Sequence, residues 1–252
     1  SSPQRAQRPS GAASGSFALG RWAGKVEVRG AHAGDVITVR DAQGRTGASN
    51  AFAVATGAAA AINFVTPERS APADVCSKDV TVQLVDGIGA VAVAESPTAL
   101  SLTSAGLDLY ADEACAVPLT QPQIDKGQSQ LTFRFKGIQA GVFPLVAASR
   151  GLRSGTQSQT ITAGAAARLG FATPSRSTKA GDCSLAVEVQ AQDAFGNPAA
   201  LAAPAQVSLG APAQLSVFDD AACSHAATAV TLPAGKGSAA VYVRGTAAGD
   251  WT

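Results

Sequence analysis

The sequence predicts an all-β protein made of tandem β-sandwiches, and three observations lead there. Glycine (26) and proline (13) are frequent, Ala, Val, Thr and Ser are abundant, and Glu, Lys and Leu are sparse, which favours short strands and turns over helical bundles. Apolar and polar residues alternate over runs of five to eight positions bounded by Gly, Pro or Ser, with no convincing helical stripe. An internal repeat is also present. Residues 62–77, INFVTPERSAPADVCS, and 169–184, LGFATPSRSTKAGDCS, agree at 8 of 16 positions, including Phe64/Phe171, Pro67/Pro174 and Cys76/Cys183, at an offset of 107.

The register holds along the unit. YADEAC (110–115) matches FDDAAC (218–223), and Gly127, Gly137 and Gly141 match Gly235, Gly245 and Gly249 at an offset of 108. GKVEVRGAHAGDVI (24–37) aligns with AAVYVRGTAAGDWT (239–252) at seven of fourteen positions, and Gly34, Gly44 and Gly57 align with Gly141, Gly151 and Gly164. The chain therefore divides into a flexible tail (1–16), the closing strands of a first copy (17–57), a complete second copy (58–164) and a third copy (165–252). The third is expected to hold counterparts of five strands and to lack most of the sixth and all of the seventh.

The elements follow in order. The tail, SSPQRAQRPSGAASGS, has no apolar core of a signal peptide and reads as a remnant of processing. The first copy offers strands near 24–29, 34–42 and 48–56. In the second, strands are expected at 61–66, 79–86, 98–103, 107–111, 129–136, 142–149 and 157–163. Seven strands in about 107 residues is the count of an immunoglobulin-like sandwich. In the third copy VEVQAQD (187–193) runs into AFGNP (194–198), where Gly196 and Asn197 supply turn conformations and Pro198 stops the ladder. The second copy has DGIGAV (86–91) at this place, so its turn is expected to differ. The most apolar stretch, 51–65, is broken by Thr56, Gly57 and Asn63 and is too short for a membrane span.

Four cysteines, Cys76, Cys115, Cys183 and Cys223, allow three disulfide connectivities and contain no close C-x-x-C pair of a zinc or redox site. The gaps of 39 and 40 residues nearly match, which favours one bridge inside each repeat: Cys76–Cys115 and Cys183–Cys223. Closing a loop of about 40 residues stabilises a fold by roughly 4 kcal/mol on the chain-entropy model, and such bonds persist in oxidising compartments.

The segment DAFGNP (193–198), the AGDCS and FDDAAC contexts and the closing V-x-V-R-G-x-x-A-G-D together resemble the bacterial immunoglobulin-like (Big-type) tandem repeats of secreted and cell-surface proteins. The resemblance covers residues 17–252. It implies a stalk, an adhesin, a filament subunit or a spacer in a secreted enzyme.

Candidate chemistry is sparse. Asp112 and Glu113, and Asp219 and Asp220, precede the second cysteine of each copy; paired acids are able to ligate calcium or move protons, but no D-x-D-x-D-G run accompanies them, and a solvated turn beside a disulfide accounts for them. His32 and His225 stand far apart, with only Asp35 close to His32 in sequence, so no metal-ligand spacing arises. There is no G-x-S-x-G, P-loop or dinucleotide-binding glycine pattern, hence no expected catalytic, cofactor or metal residue. Arg29, Lys136 and Arg244 share one repeat position and are expected to keep an edge strand from pairing wrongly, with anionic-glycan binding as the alternative. Trp22 and Trp251 are too few for a sugar-stacking platform, and Trp251 aligns with Phe143, a core position. A net charge of +1 gives no field to hold nucleic acid.

The expectation is a non-enzymatic extracellular or cell-surface structural protein without cofactors. Its partners would be further copies or neighbouring repeats of the same protein, or a surface glycan or protein ligand; the strands of 17–57 are expected to complete the third copy of a next molecule by strand addition if the ends are natural, with neighbouring sequence supplying the missing strands in cis as the rival. The alternatives are a spacer in a larger secreted enzyme and a saccharide-binding adhesin module.

Overall fold

The computed structural model describes residues 18–19, 21–24 and 32–250. The expected strand at 24–29 and the tail at 1–16 lie outside them, apart from Gly24. Every named element is a strand, and no helix is long and apolar enough to cross a membrane.

Residues 32–54 form a hairpin whose arms are each broken in two. β1 (His32–Asp35) pairs with β4 (Phe52–Val54), and β2 (Thr38–Arg40) with β3 (Thr46–Ala48). Between His32 and Asp35 the register shifts at an irregularity. The turn is closed by Asp41, whose carboxylate accepts the N–H groups of Gln43 and Arg45 and pairs with the Arg45 guanidinium.

Residues 61–162 build two packed sheets. β5 (Ala61–Phe64), β6 (Ser70–Pro72), β7 (Val80–Val85), β8 (Thr98–Ala99), β9 (Ser101–Thr103), β10 (Asp108–Tyr110), β11 (Gln123–Ile124), β12 (Gln130–Lys136), β13 (Gly141–Ala148) and β14 (Gly155–Thr162) follow in chain order. One sheet has the order β10-β12-β7-β5 and the other β6-β14-β13-β9, with β8 and β11 as a separate pair. β6 runs parallel to β14 while the remaining pairs are antiparallel, so the first strand region serves one sheet with β5 and the other with β6. This is the two-sheet arrangement of an immunoglobulin-like sandwich.

The period-two pattern explains the core. Ile62, Val82 and Leu84 on one sheet and Leu145, Ala147 and Ile161 on the other are buried together with Phe133 and Phe135. Gln159 is fully buried among them. Its side-chain carbonyl accepts Arg69 N–H at 2.8 Å and its amide donates to Gln157, which in turn donates to the Thr66 carbonyl. The network satisfies the polar groups where the chain passes from β5 to β6.

In the third copy, β15 (Arg168–Phe171), β16 (Val187–Gln192), β18 (Leu215–Phe218) and β20 (Ser238–Gly245) form the sheet β15-β16-β20-β18, the counterpart of β5-β7-β12-β10. β17 (Ala205–Ser208) and β19 (Ala229–Leu232) pair as β8 and β11 do. Among the described residues there is no counterpart of β13 or β14.

Three expectations need correction. The strand at 98–103 is two strands, because Leu100 turns into the core between them: β8 pairs with β11, β9 with β13. The turns at 86–91 and 193–198 are alike, not different, as described below. The cation position does not guard an edge, since β12 and β20 are interior strands. Lys136 instead pairs with Asp74 at 3.2 Å, and the Arg244 guanidinium lies 4.8 Å from the centre of the Phe218 ring. Arg29 lies outside the described residues.

Candidate functional sites: cystine turns, joints and an open sheet face

Each repeat carries a cystine at the same place. Cys76 is bonded to Cys115 and Cys183 to Cys223, with Cα–Cα separations of 5.6 and 5.8 Å. The second cysteine of each pair stands in left-handed backbone, φ 50° at Cys115 and 51° at Cys223. An aspartate three residues earlier organises both turns. Asp112 accepts the N–H groups of Ala114, Ala116 and Val117; Asp220 accepts those of Ala222, Ser224 and His225 and the Ser224 hydroxyl. The Val117 N–H, against a smaller opposing effect of burial, lowers the Asp112 carboxyl, and the His225 N–H leads the set that holds Asp220 at about 2.

The serine after the first cysteine closes the other side. Ser77 N–H donates to the Phe135 carbonyl and Phe135 N–H returns a bond to Ser77 Oγ at 2.9 Å; Ser184 and Val243 repeat the exchange. The recurring C-S dipeptide is thus a cystine plus a side-chain substitute for a strand bond.

The acids singled out by sequence do not gather as a catalytic pair. Glu113 is exposed and lies 3.3 Å from Arg134, which also binds Asp79 at 2.7 Å. Asp219, Asp220 and His225 do converge, with His225 Nδ1 at 4.0 Å from Asp219 and 3.7 Å from Asp220. Yet the Asp220 oxygens already accept backbone and hydroxyl hydrogens, which leaves too few free oxygen lone pairs for a cation cage. His32 pairs with Val54 in the hairpin; Trp22 is exposed, and Trp251 lies outside the described residues.

Pattern reading missed the joints between copies. Asp193, 1% exposed, directly follows β16 and gathers five hydrogen bonds from four residues: Phe195 N–H, Asn197 N–H and side-chain amide, and, across the joint, Gly164 N–H at 2.9 Å, with Gly196 N–H on its backbone carbonyl. Burial raises its pKa, but the Asn197 amide and these N–H groups outweigh that and hold it at about 2. Asp86 makes the same turn in the second copy. It accepts Ile88, Ala90 and Gly57 N–H groups, and Gly89 (φ 86°) matches Gly196 (φ 91°). Burial again opposes, and the Ala90, Ile88 and Gly57 bonds prevail to lower Asp86. The DAFGNP and DGIGAV segments thus share a geometry that only the aspartate, its glycine three residues on and the joint glycine require.

The third copy's sheet is partly uncovered. Leu169 and Phe171 pair with Ala191 and Val189 as Ile62 and Phe64 pair with Leu84 and Val82. Ile62 is 0% exposed because β13 and β14 lie against β5, whereas Leu169 is 53% and Phe171 67% exposed. The hairpin at 32–54 is exposed along β2 and β3, with Phe52 and Val54 of β4 half-buried. Its β4 aligns with the part of β14 that brings Gln159 and Ile161 into the core, and carries Phe52 and Val54 there; Thr38 and Arg40 replace Leu145 and Ala147.

No protein-family model matches the chain, and no curated protein matches it in sequence. Solved structures are similar only remotely. Invasin, described as a bacterial integrin-binding protein, is 14% identical with a TM-score of 0.40, over 85% of this chain and 40% of that one. The FdeC adhesin of Escherichia coli is 16% identical with a TM-score of 0.36, over 76% and 57%. A glycosyl hydrolase family 2 member from Bacteroides cellulosilyticus is 16% identical with a TM-score of 0.34, over 52% of this chain but 18% of its own. This chain therefore spans less than two thirds of each of these proteins.

Proposed function

We propose that the chain is a non-enzymatic structural segment of an extracellular or cell-surface protein, built around one complete immunoglobulin-like sandwich, and that the open edge of its third copy is closed by strands of the same repeat kind, donated head to tail by a second copy of the chain or supplied in cis by neighbouring sequence of the same polypeptide. One observation carries the reading: the β15 edge of the third sheet exposes Leu169 and Phe171, while a hairpin equivalent by repeat to the covering strands, at 32–54, is exposed along β2 and β3. Apolar area of that kind favours burial, and main-chain pairing along an added strand supplies direction. Donation between copies is heterologous and propagates unless rotation closes a ring. The cystines fit an oxidising compartment.

The decisive measurement is sedimentation of the 252-residue chain over a concentration series, beside a variant lacking residues 1–57. Concentration-dependent assembly of the full chain and its loss in the deletion are expected. A deletion variant that still polymerises, or a full chain that stays monomeric throughout, overturns strand donation.

A further inference from the structure

The joint between the second and third copies has a feature that the joint ahead of the second copy lacks. Asn197, 7% exposed, sits in the Asp193 turn and extends its amide to the loop between β12 and β13 of the preceding copy. Its Nδ2 donates to the Ile138 carbonyl at 2.7 Å, and its Oδ1 accepts Ala140 N–H at 2.8 Å. The side-chain amide therefore meets main-chain groups of the other copy as a strand would, one donor and one acceptor. Nδ2 also donates to Asp193 Oδ2 at 2.8 Å, so both amide hydrogens are used. The same Asp193 oxygen holds Gly164 N–H, near the start of the linker that follows β14.

In the second copy the turn is the same but Ala90 stands at the Asn197 position. A methyl group makes neither bond, and among the described residues the hydrogen bond across that joint is the aspartate-to-glycine one, Asp86 to Gly57, at a longer 3.3 Å.

We propose that Asn197 locks the angle between adjacent sandwiches, and that the residue at this turn position sets whether a joint of the array is rigid or bends. The physical basis is geometric. A single hydrogen bond beside a linker leaves rotation about that bond, whereas two opposed bonds from one planar amide, anchored from below by a buried carboxylate, fix direction as well as distance. Asn197 itself is buried, so an amide that lost these partners would be left unsatisfied, which favours the locked arrangement.

The test is measurement of residual dipolar couplings on the full oxidised chain and on Asn197→Ala. In the unaltered chain the second and third copies should share one alignment tensor. In the variant, couplings within each copy should still fit that copy's own structure, while the shared tensor is lost and two tensors are needed. The within-copy fit separates a loosened joint from a damaged fold. A shared tensor that survives Asn197→Ala would show that packing and the linker hold the joint without the amide, and two tensors in the unaltered chain would show that it is never locked; either result overturns the proposal. Should the variant unfold, Asn197→Gln on the same chain replaces it. A longer side chain cannot place both amide ends at the same loop, so loss of the shared tensor is again expected, and its retention again overturns the lock.

Discussion

At the scale of single residues, aspartates do most of the organising, and their acidity is the measurable consequence. Asp193 and Asp220 have folded-state values of about 2 against an ordinary 3.8. A carboxyl whose pKa is lowered by folding contributes stability that is present above the unfolded value and is lost as pH falls through the folded one. The melting temperature of the third copy should therefore be insensitive to these groups near neutrality and drop between about pH 4 and pH 2. Thermal scans against pH on Asp193→Asn, which removes one of the titrating charges, should show a shallower drop; an unchanged acid slope would refute the assignment. Ser77 offers a second check. Ser77→Ala strands the buried Phe135 N–H and should cost about 1–3 kcal/mol in denaturant unfolding, and a neutral result would mean water replaces the hydroxyl.

Elements in this protein are short, and what they bury depends on who crosses them. β12 ends at Lys136, and an added Cβ on the next residue, Gly137, would come within 2.8 Å of the Ile161 side chain on β14 and 2.9 Å of the Gly106 carbonyl. Gly137, the counterpart of the glycine that closes the V-x-V-R-G run, thus marks a close approach between sheets in the second copy. Gly137→Ala should destabilise the second copy by about 1–3 kcal/mol through overpacking, read as a lower midpoint in urea without a change of slope. The break in the 98–103 strand has the same origin. Leu100 is 8% exposed because it turns under the sandwich, and one continuous strand would hold it in a single sheet.

For the whole molecule, the cystines and the uncovered face govern behaviour. Non-reducing peptide mapping should yield the 76–115 and 183–223 linked peptides and no link from 76 to 183. Cys76→Ser should cost the second copy roughly 2–5 kcal/mol, seen as a lower melting temperature for that copy. A cost near zero would mean that the large core there, with Phe133, Phe135 and Leu145 fully buried, needs no staple. The third copy has a smaller buried cluster of Val189, Ala191, Leu232 and Val241, so it should be the first to melt.

Much of this organisation was legible beforehand, because strand alternation, turn glycines and cysteine spacing are local signals that repeat at 107 residues. Strands β7, β12, β13 and β14 fall within two residues of the expected runs at both ends, since each carries a buried face and a wet one. β6 was not visible: its role is to pair in parallel with β14, some 90 residues away, and three residues leave no period. The joints were hidden for a related reason. Asp86 and Asp193 look like ordinary turn residues, and only when Gly57 and Gly164 are brought against them does a turn become a connection between copies. The Asn197 amide likewise gains its partners from a loop nearly sixty residues earlier, and no spacing rule within one strand records which loop will be there. Local alternation determined the strands and the sandwich class; the tertiary structure decided which polar groups face each other across the joint, because that depends on how two packed bodies meet.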